Sequence, residues 1–276
     1  MPIRITDIDD PNLADYRFVR ERDLCESRRG AGLFIGETLQ ILEQMLAIPG
    51  LTKSVLTSDR LAARVAAAVA GSATPGALIF VIDEALMSQS AGFHVHRGVL
   101  AMGYRGALDG RSIQDPAFQQ SQLLVALDGV HNMDNVGAIF RGAAAFGVGG
   151  VILSRNSHDP LYRKCVRVSM GQALHIPFVW SDDLAATITA LRTNRGSLRV
   201  LAAVCDDGAR DIAVFDGRLP GCPPTLLVVG GEYEGITPAV CRVSTHSVRI
   251  PIARGVDSLN AAVAASICLH RLSSLA

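Results

Sequence analysis

Polar and glycine residues gather in three segments of the C-terminal half, each where an apolar run ends. The segments are LDGVHNMDNVGAIFRGAAAFGV from Leu127, VVGGEYEGI from Val228, and IPIARGVDSLNAAVAASICLHRL from Ile250. An apolar run bounded by such residues predicts a buried strand followed by a loop. Because ligands bind at the carboxyl ends of strands in parallel α/β sheets, these segments predict a ligand site.

The first segment places chemically useful side chains on one helix. A helix is predicted over 136–146, with Asn135 at its start and with Gly137 and Arg141 on its first turns. A helix N-terminus favours anions, which here suggests a phosphate. A single arginine in such a position, taken alone, would more simply be solvated.

The second and third segments supply a carboxylate and a helix start. The glycines of GGEYEG let the backbone approach a ligand closely, and Glu232 can form hydrogen bonds to the other segments. Ser258 is predicted to cap a final helix over 259–275. The alanines of that helix permit tight packing. Each feature alone also fits an ordinary strand-to-helix turn or a capped core helix.

In their order and spacing the three segments resemble the motifs of the SpoU-type (TrmH-like) RNA 2'-O-ribose methyltransferases of the SPOUT superfamily. DPLYRKCVRVSMGQALHIP, between the first two, also resembles that family, so the match covers about residues 121–276. The resemblance implies methyl transfer from S-adenosyl-L-methionine to a ribose 2'-hydroxyl of ribosomal or transfer RNA. It also implies a parallel sheet with a deep trefoil knot, and a homodimer with the cofactor pocket beside the interface.

The resemblance also assigns roles to individual positions. Arg141 matches an arginine thought to bind the target phosphate and help take the proton, and Tyr233 departs from the small residue that is common there. No metal is implied. The active-site positions are Asn135, Arg141, Glu232, Ser258 and Asn260, and the cofactor-binding positions are Gly230, Gly231, Gly235, Ile250 and Leu259.

Strands and helices that could position these residues alternate along the whole chain. A glycine-rich and polar stretch over 98–122 predicts a domain boundary near residue 112. We therefore expect a small α/β RNA-binding domain over 1–112 and a parallel-sheet methyltransferase domain over 113–276. A further helix is predicted over 162–174.

The composition and net charge of the chain limit the possible functions. The 276 residues are 49% hydrophobic and carry a formal net charge of zero, so any RNA binding must depend on local features. An arginine group in the N-terminal part could present a basic face, or simply a solvated one: Arg17, Arg20, Arg22, Arg28 and Arg29. The sequence shows no signal peptide or membrane span, which predicts a soluble cytoplasmic protein.

The sequence leaves two other classes of function to compare with methyl transfer. A catalytically silent RNA-binding dimer would keep the fold, but Asn135, Arg141, Glu232 and Asn260 together argue for an enzyme. A nicotinamide dehydrogenase would need G-x-G-x-x-G, and GAGLFIG misses that spacing. His94 and His96 could ligate a metal on one strand face, but no third ligand is apparent.

Overall fold

The structure is a computed structural model that describes residues 2–17, 32–109, 111–217 and 219–274. Of the predicted basic face, Arg20, Arg22, Arg28 and Arg29 lie outside the described residues. The chain divides into two compact units. Unit 1 comprises Met1–Leu108 with Leu161–Leu174, and unit 2 comprises Asp109–Pro160 with His175–Ala276.

Unit 1 contains a five-stranded mixed sheet in the order β1-β4-β3-β5-β2. Strands β1, β4 and β3 are parallel, whereas β5 and β2 run antiparallel to their neighbours. The strands are β1 Ile3–Arg4, β2 Leu33–Glu37, β3 Thr52–Ser58, β4 Leu78–Ile82 and β5 Val99–Tyr104. Helices α1 Leu39–Leu46, α2 Ala62–Ala70, α3 Glu84–Ala91 and α4 Gly106–Asp109 accompany them.

Unit 2 contains a seven-stranded sheet in the order β10-β12-β9-β11-β6-β7-β8, with every pair parallel. The strands are β6 Leu123–Asp128, β7 Gly150–Ser154, β8 Phe178–Ser181, β9 Arg199–Ala203, β10 Arg210–Asp211, β11 Thr225–Gly230 and β12 His246–Arg249. Strands β6 and β7 are buried along their whole length, as expected where helices cover both faces of a parallel sheet.

The remaining helices begin with α5 Pro116–Gln119, α6 Met133–Ala145 and α7 Arg163–Val168, and continue with α8 Leu184–Asn194, α9 Pro238–Val243 and α10 Ala261–Leu272. Short 3-10 helices occupy Pro11–Tyr16, Asp59–Leu61, Gln172–Leu174 and Ile212–Val214. No helix among the described residues combines the length and the apolar character that crossing a membrane requires. The predicted α/β architecture, with a parallel-sheet C-terminal domain, is confirmed.

Three predicted helices have different bounds in the structure. The helix predicted over 136–146 spans Met133–Ala145, because Asn132 caps an earlier turn. The helix predicted over 162–174 ends at Val168, because Met170 and Gly171 adopt positive φ angles and interrupt it before a 3-10 turn. The final helix begins at Ala261, two residues after the predicted start, and ends at Leu272.

Candidate active site

Three side chains from three separate segments form one hydrogen-bonded chain in unit 2. The side-chain amide of Asn135 donates to Oε1 of Glu232, and Nδ2 of Asn260 donates to Oδ1 of Asn135 at 2.9 Å. Asn135 is only 5% exposed, so its amide depends on these two partners. Two side-chain hydrogen bonds thus connect the three sequence segments.

Asn135 is held by the start of α6. Oδ1 of Asn132 accepts the backbone N–H groups of Asp134 at 2.8 Å and Asn135 at 3.3 Å, which makes Asn132 the N-cap. The strand β6 ends only a few residues earlier, at Asp128. Because the cap fixes the first helical turn, the Asn135 side chain has a defined direction.

Asn260 has two functions at the start of α10. Its Oδ1 accepts the N–H groups of Ala262 at 3.0 Å and Val263 at 3.2 Å, while its Nδ2 bonds Asn135. The prediction that Ser258 caps this helix is therefore wrong. Asparagine serves as an N-cap as well as serine does, and here it lies next to the first helical residue. Ser258 is exposed on the preceding loop.

The loop after β11 packs closely against backbone atoms of the same unit. A Cβ atom on Gly230 would lie 2.2 Å from the carbonyl carbon of Gly235, and one on Gly231 would lie 2.3 Å from the carbonyl oxygen of Gly129. Gly235 has a φ of +65°. Glycine is therefore required at these positions by the loop itself, independently of any cofactor. Asp128 fixes the far end of the loop, since its Oδ2 accepts the Thr237 N–H at 2.8 Å.

Arg141 stands apart from this hydrogen-bonded chain. It is exposed on α6, about 9 Å further along the helix axis than Asn135. It makes no hydrogen bond or ion pair within the part of the chain that the structure describes. Its guanidinium is therefore available to an external anion, whereas Asn135, Glu232 and Asn260 are bound to one another.

Cavity A, of about 340 Å³, opens beside the ends of β9 and β12. Two predicted cofactor positions, Ile250 and Leu259, line it. Asp207 and Asp257 add carboxylates, and Asp207 pairs with Arg249 at 3.0 Å.

The sequence motifs do not predict part of the cavity A wall, which is formed by Ala203, Val204 and Cys205 after β9. The available signal was the end of that strand, which lies between β11 and β12 in the sheet. Cys268 forms the buried floor, and burial raises the pKa of its thiol to about 12.

Cavity B, of about 370 Å³, lies at the ends of β6, β7 and β11. Two predicted cofactor positions, Gly231 and Gly235, line this cavity, so the structure does not place the five predicted cofactor residues around one space. Glu232 also lines cavity B and links it to the hydrogen-bonded chain. The other lining residues are Asp128, Gly129, His131, Asn132, Asn156, Tyr233, Glu234 and Thr237.

Unit 1 carries a cationic cleft, made of two adjoining cavities of about 370 and 500 Å³. We call it the arginine cleft; its arginines are Arg60, Arg64, Arg97 and Arg167. Arg60 lies 3.5 Å from Glu84 and Arg167 lies 3.1 Å from Glu37. Arg64 and Arg97 are exposed and make no ion pair within the described residues.

His94 and His96 also line the arginine cleft, with ring centroids 4.2 Å apart. Both imidazoles are exposed. Among the residues for which a structure is described, no group of three His, Cys, Asp or Glu side chains is placed to hold a metal ion. The two histidines are therefore surface residues of a cationic cleft.

Comparisons with known proteins agree with this architecture. The model of the SpoU rRNA Methylase family matches residues 122–270. The chain is 33% identical to an uncharacterized tRNA/rRNA methyltransferase of Mycobacterium tuberculosis, over 96% of this chain and 90% of that protein. It is also 33% identical to the 23S rRNA (guanosine-2'-O-)-methyltransferase RlmB of Pseudomonas aeruginosa, over 64% of this chain and 70% of that one.

A solved structure shares the fold over nearly the whole chain. The AdoMet-bound rRNA methyltransferase of Sinorhizobium meliloti superimposes with a TM-score of 0.76 at 24% identity, covering 98% of this chain and 97% of that one. The family model matches more than half of the residues, and the mycobacterial relative aligns along almost all of them. The chain therefore belongs to the SpoU rRNA methylase family, as the sequence motifs predict.

Proposed function

We propose that this protein transfers the methyl group of S-adenosyl-L-methionine to a ribose 2'-hydroxyl of ribosomal or transfer RNA. The observation that carries the proposal is the chain Asn260–Asn135–Glu232, which joins all three family motifs through side-chain hydrogen bonds. Family membership and the names of the aligned relatives support the same reaction and substrate class.

Cavity A is suited to S-adenosyl-L-methionine. Its volume of about 340 Å³ lies within the usual range for small-molecule sites. Ile250 and Leu259 offer apolar walls for an adenine ring. The lining also carries charges of both signs, from Asp207 and Asp257 and from Arg249 and Arg254, with Asp207 paired to Arg249. Such a lining suits a ligand that bears both cationic and anionic groups. When bound, the cofactor would supply a methyl group that is activated by a cationic sulfur. The solved Sinorhizobium relative binds AdoMet in the same fold.

The polar chain and Arg141 would act on the RNA. A ribose hydroxyl is a poor nucleophile at neutral pH, so it must be oriented and must lose its proton. Glu232, fixed by Asn135, presents a carboxylate that can accept a hydrogen bond from such a hydroxyl and then take up its proton. Arg141 would bind the adjacent phosphate, because the planar guanidinium can donate two parallel hydrogen bonds to phosphate oxygens. Ser258 is exposed on the loop next to Leu259 and would lie near the reacting groups.

The N-terminal part, over 1–112, would select the RNA for the domain over 113–276. Its arginine cleft supports this division, because Arg64 and Arg97 have no ion-pair partner within the described residues and can bind phosphates. Although the whole chain has a net charge of zero, the arginines of this cleft provide a local positive charge for RNA binding. A cytoplasmic location would give the protein access to such RNA.

The protein would act as a homodimer through α10. Val263 and Ile267 are 49% and 41% exposed and stand four residues apart, so they share one face of the helix. A second copy would bury both side chains. The trefoil knot around the cofactor stays a prediction of the family resemblance.

The reaction can be tested with labelled S-adenosyl-L-methionine and total RNA from a strain that lacks the protein. We expect transfer of label to ribosomal or transfer RNA, in a dinucleotide that resists alkaline hydrolysis because its 2'-oxygen is blocked. Arg141→Ala should lose the transfer while binding the cofactor normally. Cofactor binding without any transfer by the wild-type protein would instead favour a silent RNA-binding relative.

A further inference from the structure

We infer that cavity B receives the base of the target nucleotide, that Tyr233 stacks on that base, and that the base is guanine. The inference rests on the proposed function, which it makes specific. It assigns a role to a tyrosine that departs from the small residue common in the family, and to the neighbouring Glu234.

Tyr233 is an aromatic side chain without intramolecular packing. It is fully exposed, at 102% of its reference surface, although it lies in a loop that is otherwise constrained by the glycines at 230 and 231. Exposed aromatic rings are the usual platforms on which proteins stack single nucleotide bases. Because the ring is already exposed on a constrained loop, it can stack on a base without first leaving contacts in the protein core.

The location of cavity B agrees with this role. Glu232 lines the cavity and also accepts the hydrogen bond of Asn135, and Tyr233 and Glu234 follow it directly. A base in cavity B would therefore have its ribose next to the hydrogen-bonded chain. With a volume of about 370 Å³, the cavity has room for a nucleoside.

The charges in cavity B favour a neutral base over a phosphate. Among the described residues its lining includes the carboxylates of Asp128, Glu232 and Glu234, one imidazole, that of His131, and no lysine or arginine. Phosphates would be repelled, whereas a base with N–H donors can bind the carboxylates. The arginine cleft and Arg141 show the opposite charge and suit the RNA backbone.

Among the carboxylates, Glu234 is the one available for recognition. Asp128 accepts the Thr237 N–H and Glu232 accepts the Asn135 amide, while Glu234 has no hydrogen bond within the described part of the chain. A carboxylate accepts two parallel donors. Guanine presents two such donors side by side, N1–H and N2–H, whereas the other bases place an acceptor beside their donor.

The test measures methyl transfer to the same RNA by three variants, and identifies the methylated nucleoside by mass spectrometry. We expect 2'-O-methylguanosine as the product. Tyr233→Ala should lower kcat/KM for RNA about 10- to 100-fold, the effect of losing one base stack. Tyr233→Phe should stay within about twofold, since the ring is kept. Glu234→Gln should lower kcat/KM about 10-fold, because the amide matches only one donor.

Controls separate recognition from folding. Val214→Ala removes another exposed apolar side chain, in unit 2 and outside cavities A and B, and should leave kcat/KM unchanged. Every variant should keep its Tm and its affinity for S-adenosyl-L-methionine. A methylated nucleoside other than guanosine, or normal kcat/KM in Tyr233→Ala, would overturn the inference while the proposed function stands. Absence of transfer by the wild-type protein would overturn the proposed function and this inference with it.

Discussion

Replacing Asn135 with aspartate changes one atom at the centre of the hydrogen-bonded chain. The new carboxylate keeps an acceptor for Asn260, which lies 2.9 Å away, but it loses the N–H that donates to Glu232. Two carboxylates would then face each other where an amide and a carboxylate now pair. The substitution keeps the side-chain shape, and an acidic residue in the first turn of α6 favours the helix.

Two contributions set the size of this effect: one lost hydrogen bond and one new repulsion between like charges. Losing a hydrogen bond to a charged group costs about 1.5–3 kcal/mol. Two like charges at about 4 Å repel by about 4 kcal/mol at an effective dielectric constant near 20, although proton uptake relieves part of this repulsion. We therefore expect Asn135→Asp to lower kcat/KM for RNA about 100-fold at about pH 8.

The dependence on pH gives the sharper test. When the pH falls, the two carboxyl groups can share one proton, and the protonated group donates a hydrogen bond again. The loss in Asn135→Asp should therefore shrink to about 10-fold near pH 6. Methyl transfer measured across this range shows whether the loss of kcat/KM shrinks as the pH falls. Asn194→Asp, at an exposed position on α8, is the control. Normal kcat/KM at both ends of the range would refute the role of Asn135.

Further expectations concern the phosphate anchor, the loop after β11 and the two cysteines of cavity A. Arg141→Lys should keep the charge but lose the planar fork, lowering kcat/KM for RNA about 10-fold with unchanged cofactor affinity. Gly231→Ala should destabilise the protein by about 1–3 kcal/mol in urea unfolding, because its Cβ would meet the Gly129 carbonyl. The exposed Cys205 thiol should be alkylated by iodoacetamide, and S-adenosyl-L-methionine should slow that reaction. Cys268 should stay unmodified near pH 8, since burial raises its pKa to about 12.

Much of the parallel sheet was predictable because its strands are continuous apolar runs that end at glycine or polar residues. Strand β11 and the glycines after it illustrate this, and the sequence motifs alone predict Glu232 and Asn260 as site residues. The residues of 161–174 were different. They follow the first motif in sequence but belong to unit 1, where Arg163 forms an ion pair with Glu37. Such a long-range pairing leaves no local periodicity to detect.

The exact helix start and the cavity walls also required coordinates. Ser258 and Asn260 are both good N-caps, and the choice depends on where the backbone enters α10. The loop after β9 carries no chemical motif, and it lines cavity A only because β9 lies between β11 and β12. The separation of Gly231 and Gly235 from Ile250 and Leu259 likewise arises from strand order.

The most direct test of the central claim is a map of ribose 2'-O-methylation across all ribosomal and transfer RNA, by protection of single phosphodiester bonds from alkaline cleavage. Strains with and without the protein are compared, and the second is complemented with wild type or Asn135→Asp. The proposed function predicts one or a few protected positions that vanish without the protein, return with wild type, and stay absent or weak with the variant. Identical maps in both strains, or full restoration by the variant, would contradict it.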